Sequence, residues 1–315
     1  QEQTEGVMAT ANTCVDKLLS VLGEYGGWLV EFTGSALLCY VDDPTRAARA
    51  ALRMQEAMAD LALGSHQIKI GLHAGRFFAA RLGTSQHMVY ALLGADVIET
   101  AAIEAAAMPG QVVVDRETLQ SVTARYQTAP SAHGERYAIL QDLTWEGVFE
   151  GSSRLPFFPA FEPTFTGLRR AVALLDVLSP YLSGGLLSHL VGARGGRERQ
   201  GEHRLIAVLA ANVFGLGQIV DRLGPDRTKE SFALLNRYFM AMQDTVYRYG
   251  GMIHKLTPSA QGEQLLALFG TPVAHEDDAD RAVRAALDMK QEVAEIVHAL
   301  SAAEATVQVG LDQKM

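Results

Sequence analysis

The acidic run Glu276-Asp277-Asp278, followed by Asp280, has the side chains to hold a hard divalent cation. It also opens a stretch with helical apolar spacing, where carboxylates complement the positive end of the helix dipole. We read it as a helix start. The nine histidines, at 66, 73, 87, 133, 189, 203, 254, 275 and 298, show no ligand spacing such as HExxH. Cys14 and Cys39 lie near none of them, so no zinc site is expected. No GxxxxGK[ST] phosphate loop occurs. Chemistry must therefore come from residues that the fold brings together.

An internal repeat organises those residues. Tyr-Gly-Gly stands at 25–27 and again at 249–251. RAARAALRM (46–54) matches RAVRAALDM (281–289) at seven of nine positions. IKIG (68–71) matches VQVG (307–310). The offset grows from 224 to 235 between the first two landmarks, so the second copy carries about 11 extra residues. They fall around Thr257 to Glu263, which reads as an enlarged hairpin turn.

In copy one, apolar spacing from Val7 to Leu22 predicts a helix ended by Gly26-Gly27. Trp28–Phe32 and Ala36–Val41 read as a hairpin, and Pro44 as the start of the next helix. Strands are expected at Gln67–His73, Phe77–Leu82, Met88–Leu93 and Val112–Val114, with a helix over Asp96–Ala107. Copy two reads as a strand (Leu205–Val213), a helix (Asp226–Tyr249), a hairpin (Met252–Leu256 with Gln264–Phe269), a helix (Asp277–Leu300) and a strand (Thr306–Leu311). The class is α+β with mostly antiparallel sheets. Between the copies, LPFFPAFEP (155–163) reads as extended and Leu168–Val191 as one or two short helices. Gly192–Arg204 reads as a Gly- and Arg-rich linker.

At 315 residues, the chain is long enough for two domains. It is 48% hydrophobic and 20% charged, an ordinary globular balance. Lys plus Arg number 27 against 36 Asp plus Glu, a net charge of −9, the opposite of a nucleic-acid binder's basic footprint. Two cysteines imply no disulfide framework and fit a reducing compartment. The apolar stretch Leu205–Val220 is too short and too polar to span a bilayer. No signal peptide is visible, and the start without Met and the abrupt end read as a piece of a longer cytoplasmic protein.

The repeated motifs resemble the class III nucleotidyl cyclase catalytic domain, in its tandem two-lobe form. In copy one the resemblance rests on YGGWLVEFTGSALLCY (25–40), IKIGLHAG (68–75) and VYALLGADVIETAAIEAAAMPGQVVVD (89–115). In copy two it rests on HRLIAVLAANVFGLGQIVDRLGP (203–225), YGGMIHKL (249–256) and LLALFGTPVAHEDDADRAVRAALDM (265–289). It implies two ferredoxin-like lobes (βαββαβ-derived) packed as an intramolecular pseudo-dimer, with boundaries 1–150, 151–202 for a connector, and 203–315. It implies adenylate cyclase activity, ATP to cyclic AMP and pyrophosphate, with Mg²⁺ or Mn²⁺ held by two aspartates.

Carried over residue by residue, the metal positions are degenerate: Ser35 in copy one, Asn212 and Glu263 in copy two. The base-reading positions are Lys255, Glu31 and Ala91. Lys255 matches an adenine-selecting lysine and favours ATP over GTP, whereas Glu31 would accept rather than donate. The family's Asn and Arg positions fall at Ile98 and Ala102. From the residues alone, Lys255 also reads as a strand-end surface lysine, Glu263 as a solvated turn residue and Ser35 as a turn former. Two functions stay open. One is a tandem adenylate cyclase. The other is an inactive pseudo-cyclase that binds nucleotide or pairs lobes to regulate attached domains or a protein partner, with no nucleic acid and no membrane span.

Overall fold

The structure, a computed structural model, describes residues 2–32, 36–61, 67–85, 87–144, 162–182, 205–259, 262–271 and 273–312. Helix α1 (Glu2–Glu24) shows why Tyr-Gly-Gly recurs. Gly26 takes φ 70° and the Gly27 N–H donates to the Leu22 carbonyl at 2.9 Å. In copy two, Gly250 takes φ 76° and Gly251 N–H donates to Val246 O at 3.0 Å, closing helix α7 (Thr228–Arg248). Each is a left-handed helix stop in which the first glycine supplies the positive φ. The second glycine supplies room: a Cβ at Gly27 would meet Leu22 and Val41, and one at Gly251 would meet Phe269.

A hairpin follows each stop: β1 (Trp28–Phe32) with β2 (Leu37–Tyr40), and β10 (Met252–Ser259) with β11 (Gly262–Phe269). The register slips between Leu29 and Glu31 in one and between Ile253 and Lys255 in the other. The repeat thus extends to a matched irregularity, as β-bulges re-aim side chains locally.

In copy one, Asp43 caps helix α2 (Pro44–Asp60) by accepting from Arg46 N. The helix buries Ala48, Ala51 and Leu52 against a four-stranded sheet. That sheet runs β3 (Ile70–Leu72), β6 (Val112–Asp115), β8 (Gly134–Thr144), β7 (Arg125–Ser131), parallel at β3–β6 and antiparallel elsewhere. Helix α3 (Ala95–Ala106) packs Ile103 on Val113. Helix α4 (Arg116–Ser121) is capped by Asp115. Strands β4 (Phe78–Thr84) and β5 (His87–Leu93) form a separate hairpin. Helix α5 (Phe165–Leu178) follows and buries no residue.

Copy two comprises β9 (Ala207–Val213), α6 (Leu216–Leu223), α7, the hairpin β10–β11, and α8 (Asp278–Asp312). Its sheet order is β10-β11-β9, all antiparallel. Its core joins Leu235, Phe239 and Met242 of α7 to Ile253, Leu265 and Phe269 of the sheet and Ala285 of α8. Ala80, Leu82, Ala91 and Leu93 of the β4–β5 hairpin belong to the same core. Among the described residues, no helix is long and apolar enough to cross a membrane.

Three expectations are corrected. The extra residues around Thr257–Glu263 do not enlarge a turn. They lengthen both strands, so that Ser259 pairs with Gly262. The segment Thr306–Leu311 is helical, continuing α8. Its counterpart β3 is paired with β6, and no described strand of copy two stands where β6 does. A lone strand leaves its backbone groups unpaired, whereas a helix satisfies them internally. Strand β3 is also shorter than the expected Gln67–His73. The expectations at 155–161, 183–191 and Gly192–Arg204 lie outside the described residues.

Candidate functional site

The two copies meet through side chains of one and backbone of the other. Gly94, at φ 133°, precedes α3 and offers it no side-chain cap. Asp221 of α6 supplies one, accepting from Ala95 N at 2.8 Å. Asn236 of α7 accepts from Gly83 N at 2.8 Å. Gly217 of α6 sits so close to Gly94 that an added Cβ would lie 3.1 Å from its backbone.

Glu263 lies behind this contact. It is 1% exposed, not solvated. Its Oε1 accepts from Gly217 N at 2.9 Å, while its Oε2 is buried without a hydrogen-bond partner. The Tyr238 hydroxyl is likewise buried without a partner, and burial together with the Glu263 charge holds its pKa well above the usual tyrosine value. Burial, reinforced by Asp221, raises the Glu263 carboxyl above the ordinary carboxylate range.

The sheet register separates the two residues of copy two expected at metal positions. Glu263 pairs with Val213 and Asn212 pairs with Gln264. Successive positions of a strand face opposite sides, so Asn212 and Glu263 project from opposite faces, one exposed and one buried. A single buried carboxylate, with one oxygen already engaged by Gly217 N, does not fit a pair of hard cations that demand several oxygens. Ser35, expected at a metal position of copy one, lies outside the described residues. Among the described residues, no group of three or more His, Cys, Asp or Glu side chains is arranged to hold a metal ion.

Of the residues expected to read the base, two have matching settings. Glu31 and Lys255, each just past a bulge, are both half-buried, and the Lys255 ammonium is near enough to favour the ionised Glu31 carboxylate. Glu31 Oε1 is sealed from water without a partner. Burial outweighs Lys255 and pushes the Glu31 carboxyl up to about 7. A carboxyl raised on folding keeps its proton longer in the folded state, so stability falls as pH climbs from the ordinary 4.5 through 7. Glu31→Gln is expected to remove this slope. Its melting temperature, followed from pH 5 to 8, should exceed wild type at the alkaline end. Parallel curves would refute the assignment. Ala91 is 3% exposed inside the shared apolar core. Ile98 and Ala102 lie half-buried on α3 and offer no polar group.

Residues 2–137 match the family model of the adenylate and guanylate cyclase catalytic domain. The match covers less than half of the chain. Among solved structures, the guanylyl cyclase Cya2 is similar at 24% identity, covering 44% of this chain and 80% of its own, with TM-score 0.37. The guanylate cyclase domain of RhGC from Catenaria anguillulae, solved with GTP, gives 21%, 45%, 86% and 0.39 on the same measures. The adenylyl cyclase CyaB from P. aeruginosa gives 15%, 44%, 83% and 0.37. No curated protein matches the chain. Domains of this class use nucleotide substrates and divalent metals.

Residues 2–137 also contain a polar cluster that ligand spacing could not reveal. His73 Nδ1 lies 3.1 Å from Asp115 Oδ1 and its Nε2 3.4 Å from Asp96 Oδ1. Thr118 Oγ1 donates to Asp115 and accepts from Ala74 N at 2.7 Å. Burial alone would raise Asp115, but hydrogen bonds from His73 and Thr118 prevail and bring it down to about 2. The same bond to Asp115 raises His73. The cluster ties the ends of β3 and β6 to the start of α3, the helix that Asp221 caps from the other copy. It braces the start of α3 at the contact between the copies.

Proposed function

We propose that the chain is a tandem pair of cyclase-homology lobes, about 1–150 and 203–315 around a connector at 151–202. It acts as a pseudo-cyclase: a nucleotide-binding and lobe-pairing module of a larger cytoplasmic signalling protein, without chemistry at the Asn212–Glu263 interface. The observation that carries this reading is the register, which sends Asn212 and Glu263 to opposite faces of the sheet. The apolar Ile98 and Ala102 support it, because that interface then lacks the groups that steady developing charge on a triphosphate. Two unpaired cysteines fit the compartment.

Lys255 supports ATP over GTP as the ligand, since an ammonium can donate to adenine N1 and cannot accept from guanine N1–H. Incubation with ATP or GTP and Mg²⁺ or Mn²⁺ is expected to give no cyclic nucleotide above blank. Calorimetry is expected to show ATP binding more tightly than GTP. Cyclic nucleotide from the wild-type chain would overturn the proposal.

The second reading is an adenylate cyclase working at the opposite interface, where Ser35 and Lys255 would meet. The bulge that aims Lys255 favours it. Under that reading, Ser35→Asp raises ATP turnover at least tenfold, because a carboxylate replaces a neutral hydroxyl at the cation. Under the pseudo-cyclase reading it changes nothing.

A further inference from the structure

We infer that His87 is a proton-sensitive latch: protonation of its imidazole releases the β4–β5 hairpin of the first copy from its seat on α7 of the second. The inference stands on the contact between the copies and goes beyond the nucleotide reading proposed above. His87 opens β5 and pairs with Thr84 across the hairpin turn. It is 7% exposed, and its Nε2 is sealed from water without a hydrogen-bond partner. Its ring meets Tyr247 of α7 edge to face, with centroids 6.3 Å apart and planes at 68°. In the adjacent strand pair, Gly83 N donates to Asn236 of the same helix. Ring contact and hydrogen bond therefore hold the same end of the hairpin.

A neutral imidazole tolerates this site. An imidazolium needs an acceptor for its Nε2 proton and finds none, and a buried charge without a partner is costly. The Tyr247 ring does not compensate, because 6.3 Å is past the about 6 Å within which an aromatic face attracts a cation. Charged groups do lie on the elements packed against the hairpin: Asp96 of α3, Asp221 of α6, Asp244 and Arg248 of α7, and Lys255 of β10, with Arg81 on β4 itself. Among the described residues, neither these nor Tyr181 or His254 shifts the imidazole, and burial alone holds its pKa below the ordinary 6.5. An opened hairpin returns His87 to water, where it takes up a proton near 6.5. The seat is thus intact above that pH and weakens as pH falls below it. Opening uncovers Leu82 and Leu93, which belong to the shared core.

The test is amide hydrogen exchange of the full chain at pH 7.5 and 5.5, corrected for the intrinsic rate at each pH. Protection of the β4–β5 amides is expected to fall by up to about tenfold at pH 5.5, the limit for one proton taken up one pH unit below 6.5. Amides of β6, which lies in the separate core of the first copy, serve as the control and are expected to keep their protection. His87→Phe keeps an aromatic ring against Tyr247 and cannot be protonated, so its hairpin is expected to exchange alike at both pH values. His87→Gln, polar but uncharged, is expected to do the same and replaces it if the phenylalanine does not fit. Wild-type hairpin protection that does not change with pH would overturn the inference. So would an equal loss in the uncharged variant, or an equal loss in β6, which would mark unfolding of the whole chain instead of release of the hairpin.

Discussion

Truncation of Phe239 to alanine is expected to destabilise the protein by about 3–5 kcal/mol, the usual cost of emptying an aromatic site in a close-packed core. Phe239 is 0% exposed on the inner face of α7. It shares its cluster with Ile253 and Phe269 of the sheet and with Leu82 and Leu93 of the β4–β5 hairpin. The lost surface is thus common to both repeats. Urea denaturation followed by tryptophan and by far-ultraviolet dichroism should show one midpoint shifted in both signals, because Trp28 and Trp145 both lie in the first repeat. The companion Leu82→Ala, expected to cost about 2–5 kcal/mol, should move the same transition although it lies in the other repeat. A drop below 1 kcal/mol for Phe239→Ala, or a tryptophan signal unmoved by it, would mean that the hairpin does not share the core.

The second large effect is at Glu263. Alanine there removes the acceptor of the buried Gly217 N–H, and a buried donor left unpaired costs about 1–3 kcal/mol. Glutamine keeps an acceptor for Gly217 and brings N–H donors beside the orphaned Tyr238 hydroxyl. Because the Glu263 carboxyl is raised on folding, the wild type loses stability as pH rises past the ordinary carboxylate range, and the glutamine variant does not. The expected order at pH 8 is glutamine above glutamate above alanine, measured by denaturant midpoint. A glutamine variant weaker than wild type, with stability restored by added Mg²⁺ in wild type alone, would instead make Glu263 a metal ligand.

How much of this was legible in the sequence depended on whether a residue acts locally. Tyr-Gly-Gly predicted its own helix stop, because positive φ at Gly26 and Gly250 is a property of the backbone there. Pro44 marked the start of α2 for the same reason. The resemblance to cyclase domains also showed, since its motifs are contiguous, and the family model matches over residues 2–137. Burial of Glu263 did not show. A glutamate just after a glycine, in a stretch that also holds Pro258, looks like a turn residue, and only the pairing of β11 with β9 carries it inside. Helix α6 escaped because Gly215 and Gly217 weaken its local signal, while its position is fixed by contacts to Gly94 and Glu263. The strand expected at Thr306–Leu311 failed in the opposite direction: its apolar alternation was real, but a strand also needs a neighbour. His73 and its two aspartates come from three separate segments, so no spacing rule could join them.

The placement of β4–β5 also fixes the order in which the molecule can be built. The hydrogen bond from Gly83 to Asn236 spans 153 residues of sequence, and the cap from Asp221 to Ala95 spans 126. On a ribosome, the hairpin emerges long before its seat does. Leu82 and Leu93 then wait uncovered until α7 and the second hairpin have been made. Contacts this distant form slowly, since the intervening loop must close before they stabilise anything. The chain therefore has a long vulnerable interval during synthesis, in which the hairpin is open to capture by a chaperone or by the nascent core of a neighbouring copy.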